Sequence, residues 1–187
     1  VTFHTTGLGD HRYQIQRTFL ASVSNKLAER CSAQNIYLNI SNEGFRIFLA
    51  WLLYDNVSRA ATSQLSLAQA WNFGATYEMP TFQDAVMLVL VPNLQDIDVC
   101  PLAVLEAYSV TERDTLLQRA FVAQLAIYMV RQAGHQWEKK VFTSHKLQKV
   151  PDFYLDLTQA MCVNFDHTKC AEGCIEAEDF LCDGAEE

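Results

Sequence analysis

The chain has 187 residues, is 50% apolar and 19% charged, and carries a formal charge of −8. That fits one globular domain with an extension, or two very small domains, able to bury roughly 70% of the unfolded surface. No run approaches the ~18 apolar residues of a membrane-spanning helix, no apolar stretch near Val1 resembles a signal peptide, and no basic footprint suits nucleic acid.

In chain order, Val1 to Thr5 alternates and is rich in β-branched residues, which predicts a strand. The start at Val1 rather than Met is expected of a fragment or a trimmed chain. Gly7 to Asp10 is turn material, and Arg12 to Gln16 alternates again, completing a hairpin. From Thr18 to Cys31 the period changes, and Phe19, Leu20, Val23, Leu27 and Ala28 form a helical stripe. Asn35 to Ile40 returns to alternation as a third strand.

Ser41 or Asn42 caps the next helix, because a short polar side chain accepts from free backbone N–H groups there. Phe45, Phe48, Leu49, Leu52 and Leu53 make its apolar face, with Ile47, Trp51 and Tyr54 off that stripe. Such a helix is central, or it meets a second partner. Asp55-Asn56 ends it. A helix over Leu65 to Glu78 contains Gly74, whose cost of about 1 kcal/mol against Ala points to close helix approach. Pro80 opens a further helix in a position where its missing N–H is no loss, and Pro92 is expected to stop it. Asp96 to Ala107 is a short helical segment. Thr111 and Asp114 have capping-box spacing ahead of a long helix, Arg113 to Gln132, closed by Gly134. Residues 135–149 are polar and weakly patterned and predict a linker, and Pro151 to Met161 is a last amphipathic helix. The expected divisions are 1–92 as core, 93–134 as a helical continuation and 135–187 as a C-terminal extension.

Two cysteines, Cys31 and Cys100, stand alone in apolar surroundings, and four more, Cys162, Cys170, Cys174 and Cys182, crowd the C-terminus. A secreted disulfide scaffold would spread its cysteines through a core-poor chain. Here the expectation is reduced thiols and a cytoplasmic or nuclear location. Cys162, His167, Cys170 and Cys174 are the candidate zinc ligands, since zinc takes Cys and His tetrahedrally, although the two ligand pairs of a finger with a longer loop between them are absent. Free cysteines beside an acidic terminus would read the same way. From Ala171 to Glu187 there are seven acidic residues and no Lys or Arg, so the remainder nets −1. This tail is expected to be solvated.

Two strands, a helix, a strand and then packed helices is the element order of the BTB/POZ domain, and several segments resemble that family. TFHTTGLGDHRYQIQRTFLASVSNKL is similar to its opening, with Leu20 and Ser24 fitting as they stand and Gln16-Arg17 where the family often has His-Lys. FRIFLAWLLYDNV resembles the F-x-x-F-x-x-W-L-Y segment of fungal BTB proteins, carried by Phe45, Phe48, Trp51, Leu52 and Tyr54 with Leu53 as an extra residue. LAQAWNFGATYEMPTFQDAVM, EAYSVTERDTLLQRAFVAQLA and VPDFYLDLTQAM resemble its continuation. The resemblance spans most of the chain. It implies an α+β fold in which a small three-stranded sheet packs with a cluster of helices, plus a helical C-terminal extension. It also implies an adaptor that self-associates and recruits protein partners.

A subset of the family binds a cullin scaffold through a hydrophobic-x-Glu motif, which Leu27-Ala28-Glu29 matches in place. The departure at Gln16 falls on the side where the family dimerises. Self-association has its own argument: Ile47, Trp51 and Tyr54 cannot share one core with Phe45 and Phe48, unless flanking helices cover both faces. The expected interface is the N-terminal strands and first helix, through Phe3, Tyr13 and Phe19. The alternative is a zinc-binding C-terminal module in a transcription-related or scaffold protein. Catalysis is not expected. Cys162 and His167 are near in sequence only, the other histidines are scattered, and no phosphate loop, serine elbow or HExxH occurs.

Overall fold

The structure, a computed structural model, describes residues 1–6, 11–31, 35–96, 98–109, 113–131, 144, 147–163 and 175–182. Among them the chain is α+β, with three strands and eight α-helices. It divides into two compact units, Val1–Val86 with Cys182, and Met87–Leu181.

In the first unit β1 (Thr2–Thr6) is central. It pairs antiparallel with β2 (Arg12–Gln14), Phe3 opposite Tyr13, and parallel with β3 (Asn35–Ser41), Phe3 beside Ile36. Alternation does what the pattern predicts: Phe3 and Thr5 of β1, and Ile36, Leu38 and Ile40 of β3, point inward. Thr6 Oγ1 donates to the Ile40 carbonyl at 2.9 Å, where the register between β1 and β3 shifts.

The single helix expected over Thr18–Cys31 is two, α1 (Arg17–Ala21) and α2 (Asn25–Arg30). The break is made by serines, whose hydroxyls compete with the helical backbone. Ser22 Oγ donates to the Phe19 carbonyl at 2.7 Å. Ser24 is extended, caps α2 by accepting from Leu27 N–H at 3.0 Å, and donates to the Tyr77 carbonyl at 2.6 Å. Leu20, Leu27 and Ala28 of the expected stripe are buried. Because the buried Ser24 hydroxyl serves two backbone groups, Ser24→Ala should cost about 1–3 kcal/mol. Urea denaturation reads this directly, and a change within error would remove Ser24 from the folding argument.

Helix α3 (Asn42–Tyr54) starts at Ser41, whose side chain accepts from Gly44 N–H at 3.1 Å, and ends at Asp55 in a left-handed conformation. Its buried face is Gly44, Phe45, Ile47, Phe48 and Ala50, so Ile47 belongs to the core. Leu49 and Leu52 are half-buried and Leu53 is exposed, so the expected apolar face is covered only in part. Helix α4 (Gln64–Thr76) is capped reciprocally by Ser63 and Ser66. A Cβ on Gly74 would stand 2.7 Å from Gln83 Cγ and 3.1 Å from Phe82 Cδ1. That is the close helix approach the glycine predicts.

Helix α5 (Pro80–Asp96) runs past Pro92 instead of stopping there. Proline removes one helical hydrogen bond, but Leu90, Val91 and Leu94 on either side of it are buried, and that packing holds the helix.

The second unit contains the end of α5 with α6 (Pro101–Ala107), α7 (Leu116–Arg131) and α8 (Pro151–Val163), and short 3-10 turns at Leu147–Lys149 and Ala177–Phe180. The α7 cap is not the expected Thr111/Asp114 pair. Thr111 lies outside the described residues, and Asp114 has a φ of 59°. Thr115 and Gln118 form the reciprocal box instead, with Thr115 N–H donating to Gln118 Oε1 at 3.0 Å and Gln118 N–H to Thr115 Oγ1 at 3.2 Å. Leu117, Ala120, Phe121, Leu125 and Ala126 of α7 are buried, as are Phe153 and Leu157 of α8. Most of residues 135–149 lies outside the described set, but Leu147, read as part of a linker, is fully buried. Among the described residues no helix is long and apolar enough to cross a membrane.

Candidate functional site

The face built by β2, α1 and α3 is apolar and open. Tyr13 comes from β2, its ring 5.1 Å from Phe45 and its hydroxyl donating to Asn42 Oδ1. Burial raises its phenol above the ordinary value, against the opposing charge of Arg46. Ile15 follows, held by a pair of hydrogen bonds with Val1: Ile15 N–H to the Val1 carbonyl at 3.1 Å, and the Val1 nitrogen donating to the Ile15 carbonyl at 3.0 Å. Phe19 of α1 is 40% exposed. From α3 come Leu49, Leu52 and Leu53, at i, i+3 and i+4 and therefore on one side of the helix; Leu53 is 57% exposed. These side chains, with Gln14 and Gln16, surround a cavity of about 350 Å³ in which no lining residue is charged. Beyond it on α3, Tyr54 is 58% exposed and the Arg59 guanidinium lies 4.2 Å from its ring centre.

The expected site residues separate. Tyr13 and Phe19 meet on this face. Phe3 does not: its side chain is fully buried, with its ring 5.5 Å from Phe45. The pairing that places Phe3 beside Ile36 turns it inward with the core-facing residues of β3. Leu27 is also fully buried, so of the pair Leu27 and Glu29 only the Glu29 side chain is exposed. Cys162 is an exposed free thiol near the end of α8, whereas His167, Cys170 and Cys174 lie outside the described residues. Among the described residues no group of His, Cys, Asp or Glu is placed to hold a metal ion. Ile15, Leu49, Leu52 and Leu53 were not expected at the site. The signal of the three leucines was the i, i+3, i+4 spacing, which reads equally as core; Ile15 alternates with Gln14 and Gln16.

A polar constellation lies in the second unit. Tyr108, at the C-terminal end of α6, donates its hydroxyl to Asp156 Oδ2 of α8 at 2.7 Å, and its ring meets Phe153 edge-on at 5.7 Å. Burial first, then the hydrogen bond to Asp156 and the charges of Asp156, Asp152 and Asp114, push the Tyr108 phenol far above its ordinary value of 10.0. Folding thus favours the protonated phenol. Its stabilising contribution is complete below pH 10.0 and declines as the pH rises above it, because the unfolded chain loses that proton first. Burial shifts Tyr13, Tyr77 and Tyr128 in the same direction. Urea midpoints followed upward from pH 10.0 should fall more steeply for the native protein than for Tyr108→Phe, and equal slopes would remove Tyr108 from the alkaline transition.

The architecture is an α+β chain with a small three-stranded sheet and eight helices among the described residues. Comparison with protein-family models, with curated proteins and with solved structures finds no match to this chain.

Proposed function

We propose that this chain is a non-catalytic protein-interaction adaptor of the BTB/POZ type that self-associates through the face on β2, α1 and α3. The observation that carries the reading is the open apolar cavity between Tyr13, Phe19 and Leu52, on the side where the resemblance puts the dimer contact. The element order, two strands, two short helices, a strand and then helices, also supports it. A second copy is the occupant that fits. A two-fold contact lays the same patch on itself, and a patch with no charged lining meets its copy without like-charge repulsion, although each chain carries −8. An edge strand, β2, borders it, and Tyr13 adds the aromatic content that interface centres favour.

Cullin recruitment through Leu27 and Glu29 has less support, because the apolar member of that motif has no exposed surface. Amide hydrogen exchange at low and high protein concentration tests the self-association. Protection is expected to rise with concentration in the peptides covering residues 13–19 and 49–53. Protection independent of concentration in those peptides would overturn it.

A further inference from the structure

We infer that the cavity between α7 and α8 in the unit Met87–Leu181 binds an organic ammonium group on a short hydrocarbon stem, with Asp156 as its counter-ion. The cavity holds about 270 Å³ and shares no lining residue with the face assigned to self-association. Its apolar surface comes from Val122 and Ala123 of α7, Ala160 of α8 and the ring of Phe180. Into the same space the fold brings one half-buried carboxylate, Asp156, whose Oδ2 is held by the Tyr108 hydroxyl at 2.7 Å.

The other charges decide the sign of the ligand. Arg119 lines the cavity, but its guanidinium is already engaged by Asp114, Nε donating to Oδ1 at 2.7 Å and the terminal nitrogen to Oδ2. That bidentate pair offsets the only cation among the described residues of the lining and leaves Asp156 as their net charge. Arg113 is likewise paired, with Asp152 at 3.2 Å. A carboxylate in apolar walls, oriented by a neutral donor, selects a cation that carries its own apolar surface. A free alkylamine and the lysine side chain of a partner protein share that chemistry.

The test is titration of the full chain with n-butylammonium chloride, followed by methyl NMR. Saturable shifts are expected at Val122, Ala123 and Ala160, with a dissociation constant on the order of millimolar for so small a probe. Asp156→Asn keeps an acceptor for Tyr108 but removes the charge, and should weaken binding about tenfold or more. Ala160→Leu fills the cavity without touching a charge and should abolish binding, with near-ultraviolet circular dichroism showing that each variant is folded. A capped tripeptide with a central lysine separates the sources. Tighter binding than butylammonium identifies a protein lysine, and weaker binding a free amine. Sodium butyrate binding as well as the amine, no saturable shift with the amine, or undiminished binding by folded Asp156→Asn overturns the inference.

Discussion

Phe48→Ala is expected to unfold the N-terminal unit, or bring it to the edge of unfolding. Phe48 is fully buried, and four aromatic rings surround it: Phe45 at 5.6 Å, Trp51 at 6.2 Å, Phe73 at 5.1 Å and Phe82 at 5.5 Å. These come from α3, α4 and α5, so the ring is the point at which three helices are tied together. Truncation removes its transfer free energy and leaves a cavity that rigid neighbouring rings cannot close, at a cost of about 3–5 kcal/mol. A domain holds about 5–15 kcal/mol in total. Near-ultraviolet circular dichroism with chemical denaturation should show a large loss of the denaturation midpoint, or no folded baseline at all. A loss below about 1 kcal/mol would mean that the cluster is looser than its geometry.

Leu52→Asp should leave the fold standing and separate the copies. Leu52 is half-buried on the side of α3 that faces the cavity, so the monomer has little to lose there. In a two-fold contact each substitution appears twice, and two carboxylates are brought together in an apolar patch. An unpaired charge in such a patch is costly, and association should weaken by at least about tenfold, equivalent to about 1.4 kcal/mol. Sedimentation velocity on the native protein and the variant, with matching far-ultraviolet spectra, reads the difference. Unchanged association would place the interface elsewhere on the chain.

The strands were legible because Phe3, Thr5, Ile36, Leu38 and Ile40 alternate with polar residues, and a pleated strand sends alternate side chains to opposite faces. The partner order was not: nothing local says that β1 lies between β2 and β3, parallel to one and antiparallel to the other. The missed helix boundaries share a cause. Capping patterns are short, and two occur in succession before α7, Thr111 with Asp114 and Thr115 with Gln118. Only the backbone, with Asp114 left-handed and Thr115 bonded to Gln118, separates them. Ser22 and Ser24 broke a continuous apolar stripe that periodicity alone reads as one helix.

The candidate site was half legible. Tyr13 and Phe19 were recognisable as apolar residues on short elements. Phe3 had the same appearance, and its inward direction is settled by which face of the sheet α3 covers. Leu49, Leu52 and Leu53 had a spacing equally suited to core and to surface, and burial by neighbouring elements decides between the two. The Tyr108–Asp156 pair joins residues 48 positions apart, and no sequence spacing announces it.

Light scattering on the native chain at tens of micromolar tests the central claim most directly. The self-associating adaptor predicts a mass of twice 21.2 kDa, falling towards the single-chain value on dilution. A mass of one chain throughout that range would contradict it.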